Sequence, residues 1–128
     1  MYPGGKDDTF TISWHPYYLD PEAPKQGVPV SERMMERFGP GRVEAMQRRL
    51  LLMGESEGLA FSFRSKLGNT RDSHRMIQLG KTKGAEVENR VVHEIMKSYF
   101  EGGGDITSAD MLVDAAEKAG LDPAEARD

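Results

Sequence analysis

Glycine and proline punctuate this chain so regularly that few folds remain open to it. Beyond Pro29 the apolar residues recur at helical spacing. The pattern is cut at Gly39-Pro40-Gly41, Gly58, Gly84, Gly102-Gly103-Gly104 and Gly120. Ser31 can cap a short helix from Glu32 to Phe38. The spacing predicts a second helix over Arg42 to Glu57, with Val43, Met46, Leu50 and Met53 on one face, followed by a loop from Leu59 to Gly68. A third helix is predicted over Thr70 to Lys83, with Met76, Ile77 and Leu79 inward. A fourth, Glu86 to Glu101, carries a broad apolar face of Val87, Val91, Val92, Ile95, Met96, Tyr99 and Phe100. A fifth, Ala109 to Ala119, brings Leu112 and Ala116 to the core. Asp122-Pro123 then reads as a cap followed by proline at the first helical position.

The segment before Pro29 is different. Phe10-Thr11-Ile12-Ser13-Trp14 alternates apolar and polar residues, which predicts a strand near Phe10 to Tyr18. His15 to Pro29 holds Pro16, Pro21, Pro24, Pro29 and Gly27, so it can be neither a regular helix nor a central strand. The chain thus divides into residues 1–29, a strand with a proline-rich loop, and residues 30–128, a helical domain. A strand with no ladder partner leaves backbone groups unpaired. The expectation is that Phe10 to Tyr18 is either poorly ordered or paired antiparallel with the same segment of a second copy, giving a homodimer through the strand edge.

Composition excludes several classes of function. There is no cysteine, hence no disulfide, no thiolate metal site and no cysteine nucleophile. Ile, Leu, Val and Phe total only 25 of 128 residues, but 8 Met add apolar volume and the net charge is only −4, so a folded domain with a methionine-rich core is expected. A pI near 5.4 gives no basic footprint for nucleic acid. The longest apolar run, Leu50 to Met53, is too short to span a membrane, and Met1 to Asp8 is polar. These features lead to the expectation of a cytoplasmic protein without nucleic-acid or membrane partners.

No cofactor or metal motif stands out. His15, His74 and His93 lack partners at ligand spacing. Gly80-Lys81-Thr82 ends like a phosphate loop, but Arg75 stands where the loop would need its first glycine. No Gly-x-Ser-x-Gly elbow is present. The segment Asn69 to Arg75 is polar at a helix start, and it is expected to lie beside the aromatic strand end at Trp14, Tyr17 and Tyr18. The candidate substrate-binding residues are therefore Asn69, Thr70 and His74, with Trp14 and Tyr17 as a wall. A capped helix with a half-buried histidine is the bland alternative.

The order of segments carries more than any one of them. Trp14-His15-Pro16-Tyr17-Tyr18-Leu19-Asp20-Pro21 is followed by Gly27-Val28-Pro29, Glu57-Gly58-Leu59-Ala60-Phe61 and Asn69-Thr70 with Ser73-His74-Arg75. After these come Tyr99-Phe100-Glu101-Gly102, Asp105-Ile106 with Leu112, and Ala119-Gly120-Leu121-Asp122. The series resembles the DsbA-like thioredoxin-fold oxidoreductases of the FrnE type, which are similar to 2-hydroxychromene-2-carboxylate isomerases and kappa-class glutathione transferases. The resemblance implies a mainly α fold, the helical insertion domain of a DsbA-like thioredoxin fold with one remnant β-strand. It also implies a thiol or other small-molecule substrate, and a helical part that overhangs the active site of the family's intact members.

Family members carry Cys-x-x-Cys, or a serine, at the start of a helix after their first strand, and close with a cis-proline half. Neither is found between Met1 and Asp128, so the catalytic residue carries over to no position here. The expectation is a truncated, catalytically incomplete member. The alternatives are a non-catalytic binding module for small molecules or proteins, and a remnant of a glutathione-dependent isomerase or transferase.

Overall fold

A computed structural model describes residues 7–128. The elements run β1 (Val28–Pro29), α1 (Val30–Phe38), α2 (Pro40–Ser56), β2 (Lys66–Leu67), α3 (Arg71–Thr82), α4 (Ala85–Phe100), α5 (Ala109–Lys118) and α6 (Pro123–Arg127). The fold is mainly α, as expected. Its one sheet is minimal: β1 and β2 pair antiparallel, Val28 opposite Leu67 and Pro29 opposite Lys66, and Lys66 also bridges to Asp105.

Each boundary has a local cause. Pro40 opens α2 at a position where its missing N–H costs nothing. The Ser108 hydroxyl accepts from the Met111 amide at 3.2 Å and caps α5, and the Asp122 carboxylate accepts from the Ala124 amide at 3.0 Å and caps α6. Ser31 is not the cap expected of it. The N-cap of α1 is Pro29, and the Ser31 hydroxyl lies inside the helix, donating to the Phe63 carbonyl at 3.0 Å. Serine at this position ties α1 to the loop between α2 and β2.

The core lies where α3, α4 and α5 meet. Met76, Val91, Ile95, Leu112, Val113, Ala115, Ala116, Ala119 and Leu121 are buried against one another. Small residues set how closely the helices approach. A Cβ on Gly80 of α3 would sit 2.9 Å from Val91 Cγ2 and 3.3 Å from Glu88 Cα, so α4 lies directly on the α3 backbone at this point.

Part of the expected core lies at the surface. Leu50, Met53, Met96 and Phe100 are exposed. For α2 the reason is packing. Its main neighbour is α1, and only Val43 and Gly54 are buried along its length. An apolar face on a helix that packs mainly on one other helix cannot be covered throughout.

The expected strand from Phe10 to Tyr18 is not formed. The segment has no regular secondary structure and lies along α3 instead. A strand requires an edge of matching length, and the only ladder among the described residues is two residues long. The main-chain groups of Trp14 are satisfied by side chains, as described below. The strand edge expected to pair two copies is therefore not present in this conformation.

Candidate functional site

The start of α3 is fixed from both sides. The Asn69 amide donates to the Pro24 carbonyl at 2.8 Å, tying the proline-rich segment to this point. The Asn69 side-chain oxygen accepts from the Arg71 amide at 2.9 Å, an Asx-type turn that leads into the helix. Thr70 is the N-cap residue, but its hydroxyl makes no capping bond. Its carbonyl accepts from the His74 amide at 2.9 Å and from the buried Ser73 hydroxyl at 2.8 Å. Gly68 just before it packs against the Pro24 carbonyl and the Thr107 methyl, leaving no room for a side chain.

His74 projects from the first turn of α3. The Tyr18 ring lies 5.4 Å away, tilted by 30°. Its Nδ1 is buried and has no hydrogen-bond partner within the protein. Burial holds the imidazole below the ordinary histidine range, because the charged form is poorly solvated there. His74 separates two grooves. One, about 540 Å³, is open and lined by Tyr17, Tyr18, Arg71 and Arg75. The other, about 270 Å³, is apolar and is lined by Thr70, Ser73, Ile77, Val92 and Tyr99 among others. Burial also raises the Tyr99 phenol above its ordinary range, partly offset by a hydrogen bond with Ser65.

The structure therefore gathers Thr70, His74 and Tyr17 around these grooves, with Asn69 shaping the turn that positions them. Trp14 stands apart. It lies against Lys81, seven residues along α3 from His74, or about 10 Å along the helix axis. The Trp14 amide donates to Glu88 Oε1 at 2.7 Å, its indole Nε1–H donates to Asn89 Oδ1 at 3.2 Å, and its carbonyl accepts from Lys81 Nζ at 2.7 Å. Lys81 and Glu88 also form an ion pair at 3.8 Å. Glu88 is 2% exposed. The indole was expected to wall the site, but its hydrogen bonds hold it at the other end of α3.

Sequence reasoning missed Arg71 and Arg75 beside His74, and all of the Lys81, Glu88 and Asn89 group. A signal for Glu88 was present. It stands in helical register with Val91, Val92 and Ile95, so a carboxylate falls on the buried stripe of α4. Among the described residues no three His, Asp or Glu side chains come together as ligands for a metal ion. No helix among them is long and apolar enough to cross a membrane.

The family model of the DSBA-like thioredoxin domain matches residues 4–128. The chain belongs to the DsbA-like thioredoxin family. No match was found among curated proteins. Membership makes the absence of a thiol from these residues the main chemical fact. Thiol–disulfide exchange needs an attacking thiolate, and these 128 residues of a DsbA-like protein contain no cysteine. What they offer around His74 is an aromatic and cationic surface beside an apolar groove.

Proposed function

We propose that these residues serve a FrnE-type thiol–disulfide oxidoreductase as its substrate-facing helical part, shaping the pocket without supplying the reacting thiols. The observation that carries this reading is His74. Its Nδ1 is desolvated and without a partner, and it lies between two grooves in a member of the DsbA-like family. A desolvated acceptor of this kind gains a hydrogen bond when a donor such as a thiol or amide enters. Asn69 and Thr70 set the helix start that aims it, and Tyr17 and Tyr18 form the aromatic side of the open groove.

Two measurements test the proposal. The purified chain should show no insulin reduction and no dithiol oxidation, since it has no thiolate to begin either. Titration with a short reduced dithiol peptide should shift the His74 imidazole resonances saturably and leave those of exposed His93 in place. Saturable shifts with glutathione but not with the peptide would favour the glutathione-dependent isomerase or transferase branch. No shift with either would overturn the site.

A further inference from the structure

The group that holds Trp14 has the form of a peptide-binding site. It reads the three features that any extended tryptophan residue presents: an amide donor, a carbonyl acceptor and an indole N–H. The acceptor for the amide is a carboxylate that is 2% exposed. The donor to the carbonyl is an ammonium, and the acceptor for the indole is a side-chain amide. A buried carboxylate is costly unless it is paired and hydrogen-bonded, and here Lys81 pairs with it at 3.8 Å and the Trp14 amide donates to it.

Elsewhere the segment that supplies Trp14 is held near its far end, by the Tyr18 ring against His74 and by Asp20 paired with Arg33 at 3.6 Å. It has no ladder, and the side chains of Ile12, Tyr17 and Leu19 are 50%, 77% and 90% exposed. The turn that follows, closed by the Ala23 amide on the Asp20 carbonyl at 3.1 Å, is a natural hinge, because beyond it Pro24 is held by Asn69.

We infer that Lys81, Glu88 and Asn89 form a clamp that accepts the Phe10 to Asp20 segment of a second copy in place of the chain's own, so that two chains exchange straps about the Asp20–Ala23 turn. The contacts made are the same within and between chains, which is the condition under which segment exchange costs least. Within one chain the strap competes at the effective concentration set by a short tether, on the order of millimolar, so exchange belongs to concentrated protein.

Trp14 is the only tryptophan, and this gives a direct test. A Trp14→Ala chain keeps the clamp and loses the indole. A chain carrying Lys81→Ala with Asn89→Ala keeps the strap and loses the clamp, and both substituted positions lie at or near the surface. Mixed at high concentration, the two should form a species of twice the single-chain mass. The Trp14 emission of the second variant should return toward that of the unaltered chain. An unchanged mass and emission would overturn the inference. An equal effect from a chain carrying all three substitutions would also overturn it, by placing the association elsewhere. If either variant loses its helical circular dichroism, the unaltered chain serves instead, labelled with nitrogen-15 and titrated with an unlabelled peptide of residues 10–20. Its single indole resonance should move to the free-indole position, and a stationary resonance at millimolar peptide would refute the exchange.

Discussion

At the scale of single residues, His74 couples stability to pH. Its folded value is depressed by desolvation, while the unfolded chain titrates near the ordinary 6.5. The unfolded state therefore binds the proton more readily, and stability rises with pH across the window between the two values. The contribution is present above the unfolded value and is lost as pH falls through the folded one. Unfolding midpoints should decline below about pH 6.5. His74→Gln should flatten that part of the profile, because it removes the titration while keeping a polar side chain. A slope unchanged by the substitution would assign the decline to the carboxylates. Tyr99 acts at the other extreme. Its raised phenol holds the neutral form in the fold, a contribution present below the unfolded value and lost as pH rises through the folded one.

At the scale of elements, two glycines should respond oppositely to the same change. Gly80→Ala places a methyl 2.9 Å from Val91 Cγ2 at the α3–α4 contact and should cost about 1–3 kcal/mol by overpacking. Gly41→Ala, in the first turn of α2, meets nothing within 4 Å and should stabilise by about 0.5–1 kcal/mol through helix propensity and a more restricted unfolded chain. Thermal midpoints of the two variants decide both. Ser108→Ala, which removes the α5 cap, should cost about 1 kcal/mol by the same measurement. The helices were legible because their stops are local. Gly84, the Gly102 run and Gly120 end them without reference to anything distant. The strand at Phe10 was misread because pairing is not local. Alternation says what a segment could do beside an edge, and the edge is not encoded in those residues. The site was half legible for the same reason. Asn69 and Thr70 announce a helix start in sequence, whereas the placement of Trp14 beside Glu88 spans 74 residues and left only the carboxylate on the apolar stripe as its trace.

At the scale of the whole molecule, cohesion is uneven. Helices α3, α4 and α5 share one core, while α2 leans mainly on α1. Amide hydrogen exchange should therefore be slowest in α4 around Val91 and Ile95 and clearly faster through α1 and α2. Equal protection along both would show that the hairpin opens only with the core. The same unevenness governs how the chain ages under oxidants, since methionine is its only oxidisable sulfur. Met35, Met53 and Met96 lie at the surface, where a sulfoxide meets water and leaves the packing intact. Met76 is packed in the core, 7% exposed, and should react far more slowly unless α3 lifts away from α4 and α5. Peroxide should therefore add oxygen early at the three outer thioethers, with the helical signal unchanged. The onset of sulfoxide at Met76 in a peptide map then becomes a clock for core opening.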